Sequence, residues 1–283
     1  VSGAMDQAGD RAKRGARQVA GAAEQASQSR SFEAVARFGF AANGLLHVLI
    51  GALALQLALG KSGEADQTGA VAQLAARPGG AVLLWAGFIG AAALALWQVA
   101  EAVFGGRRFR DRDRLKYRLK SAGLAVVYAA VAGTFGVYAL GGRSSSRESS
   151  QDASAALMQA PGGTVLLFLV GAGIVAAGAY FIFRGVRRKF LEDLRSLPAG
   201  RAGQAVTWSG TAGYIGKGLA LAVLGILFAV AAIRHDPARA TGLDGALKGL
   251  REQPYGDAAL IVVAVGLICY GLYMAARARY AKM

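Results

Sequence analysis

The chain has 283 residues, of which 54% are hydrophobic and 40 are glycine, and its 32 basic side chains outnumber 17 acidic ones. A mean hydropathy of +0.38 argues against an ordinary soluble domain, because the apolar residues fall into runs of about 20, the length that crosses a ~30 Å hydrocarbon layer. The single cysteine, Cys269, excludes an internal disulfide and a cysteine-based metal cluster and reads as a small buried hydrophobe.

In chain order, residues 1–32 form an arm in which Arg11, Lys13, Arg14 and Arg17 lie among Ala, Gly and Gln. It lacks the apolar stretch of a secretory signal, so the expectation is a flexible cytoplasmic arm retained on the chain. Six spans follow: Phe38 to Leu59, Ala81 to Phe104, Ala122 to Leu140, Thr164 to Phe183, Thr211 to Ile233 and Ala258 to Ala276. The five loops between them run from 17 to 27 residues, well short of the ~50 residues of a minimal domain, which predicts no attached soluble catalytic domain. Lys and Arg number 23 in residues 1–37, the second and fourth loops and the tail, against 8 in the other three loops. Basic residues in short loops mark the cytoplasmic side, so both termini are expected there. The counter-charge expected for this basic rim is anionic lipid headgroups, at roughly 1 kcal/mol per well-placed Lys or Arg. A membrane-protein partner is also open. The clusters are short, flank helix ends and carry few aromatics, which argues against nucleic acid.

The spans repeat in pairs. Gly39-Phe40-Ala41-Ala42-Asn43-Gly44-Leu45 in the first span corresponds to Gly213-Tyr214-Ile215-Gly216-Lys217-Gly218-Leu219 in the fifth, and Lys120-Ser121-Ala122-Gly123-Leu124 is a degenerate version in the third. The loops with few basic residues end alike, in Pro78-Gly79-Gly80, Pro161-Gly162-Gly163 and Pro254-Tyr255-Gly256. Leu74, Leu157 and Leu250 stand four residues before those prolines, which predicts a short amphipathic helix lying at the outer interface. Trp97, Tyr180 and Tyr273 stand 19 residues after them, at positions suited to packing or interfacial anchoring.

This repeated unit resembles the actinobacterial membrane family known as domain of unknown function 1206, in which three tandem two-helix units make a six-helix protein. The third unit resembles it best, through Gly213-Tyr214-x-x-Lys217-Gly218, Leu243-Asp244-Gly245-Ala246-Leu247 and Tyr270-Gly271-Leu272-Tyr273 to Ala278-Arg279-Tyr280. The resemblance implies a fold and no activity. With the spacing above it gives an all-α integral membrane protein, six transmembrane helices as three parallel two-helix repeats in a pseudo-threefold arrangement. The units are 33–108, 109–192 and 193–283. Helices in lipid associate through close approach at small residues, and Gly87/Ala91, Ala129/Gly133, Gly173/Ala177 and Gly218/Ala222 have the required spacing.

Catalytic signatures are absent: there is no His-Glu-x-x-His, Cys-x-x-Cys or Gly-x-Ser-x-Gly, and Gly60-Lys61-Ser62 lacks the earlier glycine of a phosphate loop. The expectation is no enzyme, no metal and no cofactor. Polar groups inside the spans are costly and mark interior positions. Asn43, His47, Gln98, Glu101 and Lys217 fall near the cytoplasmic ends of the first, second and fifth spans. They are the candidate polar layer, with Glu101 paired to Lys217 and the others supplying hydrogen bonds. Two alternatives stand beside the pair: Lys217 snorkels to the headgroups, and Glu101 meets water or a loop arginine. The functional expectation is a non-enzymatic, lipid-interacting or partner-binding multi-pass protein of the bacterial plasma membrane. The alternative is a small-ion or small-solute channel or transporter, which the largely apolar outer halves of the spans disfavour.

Overall fold

The computed structural model describes residues 30–104 and 111–281, and nearly all of them are helical. The expected arm lies outside the described residues as far as residue 29. Six long helices, α1 (Arg30–Ala58), α3 (Gly80–Phe104), α4 (Asp111–Ala139), α6 (Gly163–Val186), α7 (Arg201–Arg234) and α9 (Gly256–Tyr280), are long and apolar enough to cross a membrane. Three short ones, α2 (Gln67–Ala75), α5 (Ser146–Gln159) and α8 (Gly242–Arg251), join them in pairs. The short helices expected before the three prolines stand there, although α2 is apolar and half-buried rather than amphipathic. They start at side-chain caps where one is available: Asp66 accepts from the Gly69 N–H at the head of α2, and Ser145 from the Glu148 N–H at the head of α5. They end at a left-handed turn formed by Gly79 (φ 78°), Gly162 (φ 74°) and Tyr255 (φ 63°). The expected equivalence of the three loops is therefore one backbone turn, with a tyrosine in the third copy where the first two have glycine.

Packing runs between repeats. The second long helix of each repeat lies antiparallel along the first of the next: α3 on α4, α6 on α7, and α9 back on α1. Within the third repeat α7 also packs on α9, whereas among the described residues α1 and α3, and α4 and α6, meet only marginally. The long helices thus form three inter-repeat pairs, of which α6/α7 and α9/α1 pack together through α7 and α9 while α3/α4 meets the rest through the short helix α2, so the threefold character is carried by the pairing rule.

Glycines set the closest approaches. A Cβ on Gly178 would stand 2.6 Å from the Gly218 carbonyl oxygen, and one on Gly225 would stand 2.6 Å from that of Gly171. Gly44 meets Gly271 in the same way across α1 and α9, and Gly216 meets Gly266 across α7 and α9. Gly44 and Gly51, Gly171 and Gly178, and Gly218 and Gly225 are each seven residues apart, a heptad spacing that keeps one seam on one face along shallowly crossed helices. Of the four expected small-residue pairs, Gly218/Ala222 lies in such a seam and Gly87/Ala91 faces inward, with Gly87 against the Phe135 ring. The other two are corrected. Ala129/Gly133 and Gly173/Ala177 are exposed, on faces directed away from the neighbouring helices. High glycine and alanine content puts small residues on every face, so spacing alone did not identify the packed one.

At the end where α2, α5 and α8 lie, the three repeats interlock in a cycle. Thr68, Gln151 and Asp244 each stand ten residues before the proline of their repeat. Thr68 Oγ1 and Ser146 Oγ of the second repeat share a short hydrogen bond. Gln151 Nε2 donates to the Ala238 carbonyl of the third (2.7 Å), and Asp244 Oδ1 accepts from the Ala65 N–H of the first (2.8 Å). Each bond reaches the chain just before or at the start of the next short helix. Below this cap, Ile50, Leu53, Ala54 and Leu57 of α1, Leu247 of α8, Ala220 of α7, and Leu260, Val263, Ala264 and Leu267 of α9 form a buried apolar core.

Candidate functional site

The opposite half of the bundle, toward the chain termini, holds the polar groups. α7 passes through it with its hydroxyls turned back onto its own carbonyls, Thr207 to Gly203 (2.9 Å) and Thr211 to Thr207 (2.9 Å), so those groups are satisfied locally. Gly213 and Gly216 press α7 against α9, and Gly218 presses it against α6. The residue between, Lys217, is consequently held where α6, α7, α9 and α1 converge. Its Nζ lies 4.2 Å from the centre of the Tyr270 ring and 5.1 Å from that of Phe181. On the other side of Tyr270 the His47 ring packs at 4.7 Å. His47 Nδ1 donates to the Asn43 carbonyl oxygen at 2.8 Å, one turn earlier on α1, which leaves Nε2 as the acceptor. A desolvated cation over aromatic faces gains about 2 kcal/mol or more, and that is what Lys217 has in place of a carboxylate. The site stabilises a cation by ring faces, and among the described residues its one ionised donor is the Lys217 ammonium.

Three of the five expected residues therefore come together: Asn43 and His47 on α1 with Lys217 on α7, around Tyr270. Glu101 does not join them. Its Oε2 accepts from the Tyr117 hydroxyl of α4 at 2.8 Å, and α3 packs along α4, away from α7. Gln98, one turn before it, makes no side-chain hydrogen bond among the described residues. The expected Glu101–Lys217 pair is thus corrected: Lys217 Nζ lies against the Tyr270 and Phe181 rings, and Glu101 Oε2 accepts from Tyr117. The error was one of neighbours, since depth along a span carries no information on which helices touch.

Next to Lys217 is a second cluster that the sequence reading missed. Phe181, Tyr214, Phe190, Tyr270 and Tyr273 pack with ring centres 5.1 to 6.5 Å apart, and the Tyr273 hydroxyl donates to the Phe190 carbonyl oxygen at 2.9 Å. Phe190 belongs to a 3-10 turn, Lys189–Asp193, and is fully buried beneath the two tyrosines. That turn presents Asp193, whose Oδ2 receives Arg184 of the second repeat at 2.6 Å and Arg277 of the third at 3.2 Å. Arg184 also lies over the Tyr214 ring (5.5 Å) and Arg277 over the Phe40 ring (4.6 Å). Here the repeat reappears. Glu101, Arg184 and Arg277 each stand 23 residues after their proline, and each bonds or stacks on a ring from the first long helix of the next repeat. The proline register marks this position, four residues beyond Trp97, Tyr180 and Tyr273. In the first copy a carboxylate stands where the others have guanidinium, and it takes a hydroxyl donor accordingly.

Comparison with known proteins gives three matches along the chain. Residues 38–105, 119–188 and 212–281 each fit the family model described as Domain of Unknown Function (DUF1206). The chain is also similar to the uncharacterized protein YxxB of Bacillus subtilis (strain 168), with 30% identity over 249 residues, 87% of this chain and 90% of that protein. No solved structure matches.

Proposed function

From the premise that this chain belongs to the DUF1206 family, and from the geometry above, we propose that it is a non-enzymatic module of the bacterial plasma membrane that binds anionic lipid headgroups, or a membrane-protein partner of like charge, at a cytoplasmic face bearing both termini. The observation that carries this reading is the convergence of cations at the terminal end. Arg184 and Arg277 share the single carboxylate of Asp193, and Arg187, Arg188, Lys189, Arg195, Arg201 and Arg279 are exposed at the same end. Exposed Val165, Leu166, Leu169 and Val170 near the start of α6, and Leu96, Trp97 and Val99 on α3, give the bundle an apolar outer surface, which supports a basic end lying at a headgroup layer. Native mass spectrometry of the protein extracted gently from its own membrane tests it. A stoichiometric anionic lipid or protein partner, weakened by alanine at Arg187 and Arg188, is the expected result. A bare chain in the same detergent would count against it.

Lys217 and His47 in the interior favour one other reading, a channel or transporter for a small ion or solute. The apolar core around Leu53, Leu260 and Leu267 argues against it, since conduction needs polar or wetted groups at most depths. Proteoliposome flux abolished by Lys217→Met would reverse the ranking. Orientation has its own check: cysteines at Ser62 and Ser145 are expected to react with an impermeant reagent from outside, and labelling only after lysis would invert the topology.

A further inference from the structure

The helix α7 has an outer and an inner face. Trp208 and Ile226 are exposed on the outer one, and Lys217 is nine residues from each, about two and a half turns, which puts it on the opposite side. Lys217 therefore projects to the inner side of the row in which α1 packs on α9, α9 on α7 and α7 on α6. Tyr214 and Ala220, a turn away on either side of it, are buried. The ammonium carries three N–H donors, and among the described residues none of them meets a hydrogen-bond acceptor or a carboxylate. The Tyr270 and Phe181 rings hold its charge and leave its donors unused. Tyr270 is only 4% exposed, and its hydroxyl also makes no hydrogen bond among the described residues, whereas a buried tyrosine hydroxyl ordinarily finds a partner. Two unused donors thus adjoin one ring, the ammonium over its face and the hydroxyl at its edge.

Both ends of the bundle are shut off from this point. Toward the termini the buried Phe190 ring packs against Tyr214 and Tyr273, and toward the capped end an apolar core closes around Ala220, Leu247 and Leu267. The side is open. The α3/α4 pair meets the rest through α2, and α4 and α6 meet only marginally among the described residues. Accordingly α6 buries little besides Leu167 and the glycines of its α7 seam. Ala177, one turn before Phe181 on the same face of α6, is exposed. The way out from Lys217 therefore leads past a small side chain into hydrocarbon.

We propose that Lys217 and Tyr270 bind the carboxylate of a long-chain amphiphile, which enters from the bilayer between α4 and α6 with its chain running past Ala177. The route selects a ligand with a hydrocarbon chain. A lone ammonium selects a single negative charge, held by a charge-assisted hydrogen bond, and two donors match the two oxygens of a carboxylate. This interior site makes no use of the exposed cations at the basic end and stands independently of the function proposed there.

The test is equilibrium binding of radiolabelled laurate to the full chain in dodecyl maltoside, competed by unlabelled laurate, dodecanol, dodecyltrimethylammonium, acetate and dilauroylphosphatidylglycerol. Saturable 1:1 binding is expected, displaced by laurate at concentrations at least tenfold lower than by any other competitor. Lys217→Met is expected to weaken it at least tenfold, and Tyr270→Phe, which keeps the ring, at least threefold. Ala177→Trp, which fills the entrance, is expected to abolish it, while Ala179→Trp on the outer face of α6 leaves it unchanged. Thermal unfolding of each variant establishes that it is folded, and Ala177→Trp decides if Lys217→Met does not fold. Absence of saturable binding, equal displacement by dodecanol or acetate, displacement by the phosphatidylglycerol at lower concentration than laurate, or full affinity in folded Lys217→Met or Ala177→Trp would each overturn the proposal.

Discussion

Asp244 accepts the backbone N–H of Ala65 at 2.8 Å while holding Lys248 at 2.6 Å, and the first of these bonds closes the cycle of repeats from third to first. The carboxylate is 3% exposed, so its loss leaves a buried N–H without an acceptor. Hydrogen bonds to charged groups contribute about 1.5–3 kcal/mol. Asp244→Ala is expected to cost that much in reversible unfolding in detergent, whereas Asp152→Ala, on the exposed face of α5, is expected to stay within about 0.5 kcal/mol.

The same junction sets a pH dependence. Asp66 is held above its ordinary value of 3.8, first by burial and also by the charge of Asp244, against hydrogen bonds from Gly69, Ser146 and Thr68. The folded state therefore binds this proton more tightly than the unfolded chain. Its contribution to stability is full below 3.8 and is lost as pH rises through the raised value. Asp66→Asn keeps the acceptor for Gly69 and removes the titration. It is expected to be more stable than the parent at pH 7, with the difference shrinking as pH falls toward 4; parallel melting curves for the two proteins across that range would refute this.

Hydropathy alone located the six long helices and the proline register located the three short ones, because both depend on local sequence. The partner of each helix was not legible. Gly173 and Gly178 look alike in a run of small residues, and only the assembled ring shows Gly178 against Gly218 and Gly173 facing outward. At the candidate site, Asn43, His47 and Lys217 were found because polar side chains are rare in spans. Tyr270 and Phe181 were not, since aromatic rings in an apolar helix carry no mark of the cation they hold. Glu101 was misassigned for a related reason: it was matched to the one opposite charge at its depth, while its actual partner, Tyr117, is a neutral donor on the helix that packs against α3.

That difference between glycines is measurable. In Gly178→Ala the new Cβ meets the Gly218 carbonyl oxygen at 2.6 Å and the Ala222 nitrogen at 2.9 Å, both backbone atoms that cannot rotate away. Overpacking of this kind costs roughly 1–3 kcal/mol. Gly173→Ala meets nothing within 4 Å and gains up to about 1 kcal/mol of helix propensity. Opposite signs are expected in thermal unfolding, and equal effects would refute the seam.

Tyr255 sits at φ 63° with 89% of its surface exposed, in the turn where the other two repeats have Gly79 and Gly162. The left-handed conformation costs an L side chain about 1–2 kcal/mol. Tyr255→Gly is therefore expected to stabilise the protein by about 1 kcal/mol, less what the more flexible unfolded chain recovers. A lower melting temperature would mean that the ring contributes at the membrane surface more than its backbone strain costs.

Lys217 and Glu101 are opposite charges at similar depth with separate partners, the Tyr270 and Phe181 rings for one and the Tyr117 hydroxyl for the other. Groups that share no partner act additively within about 0.5 kcal/mol, whereas a buried ion pair couples by more. Lys217→Met removes a cation–π contact of about 2 kcal/mol together with the desolvation cost of an interior ammonium, so its net effect is expected within about 1 kcal/mol. A double-mutant cycle of Lys217→Met with Glu101→Gln is then expected to show coupling below about 0.5 kcal/mol. Coupling of 2 kcal/mol or more would put the two charges in contact, and with it would return the first and third repeats to facing each other across the axis through α3.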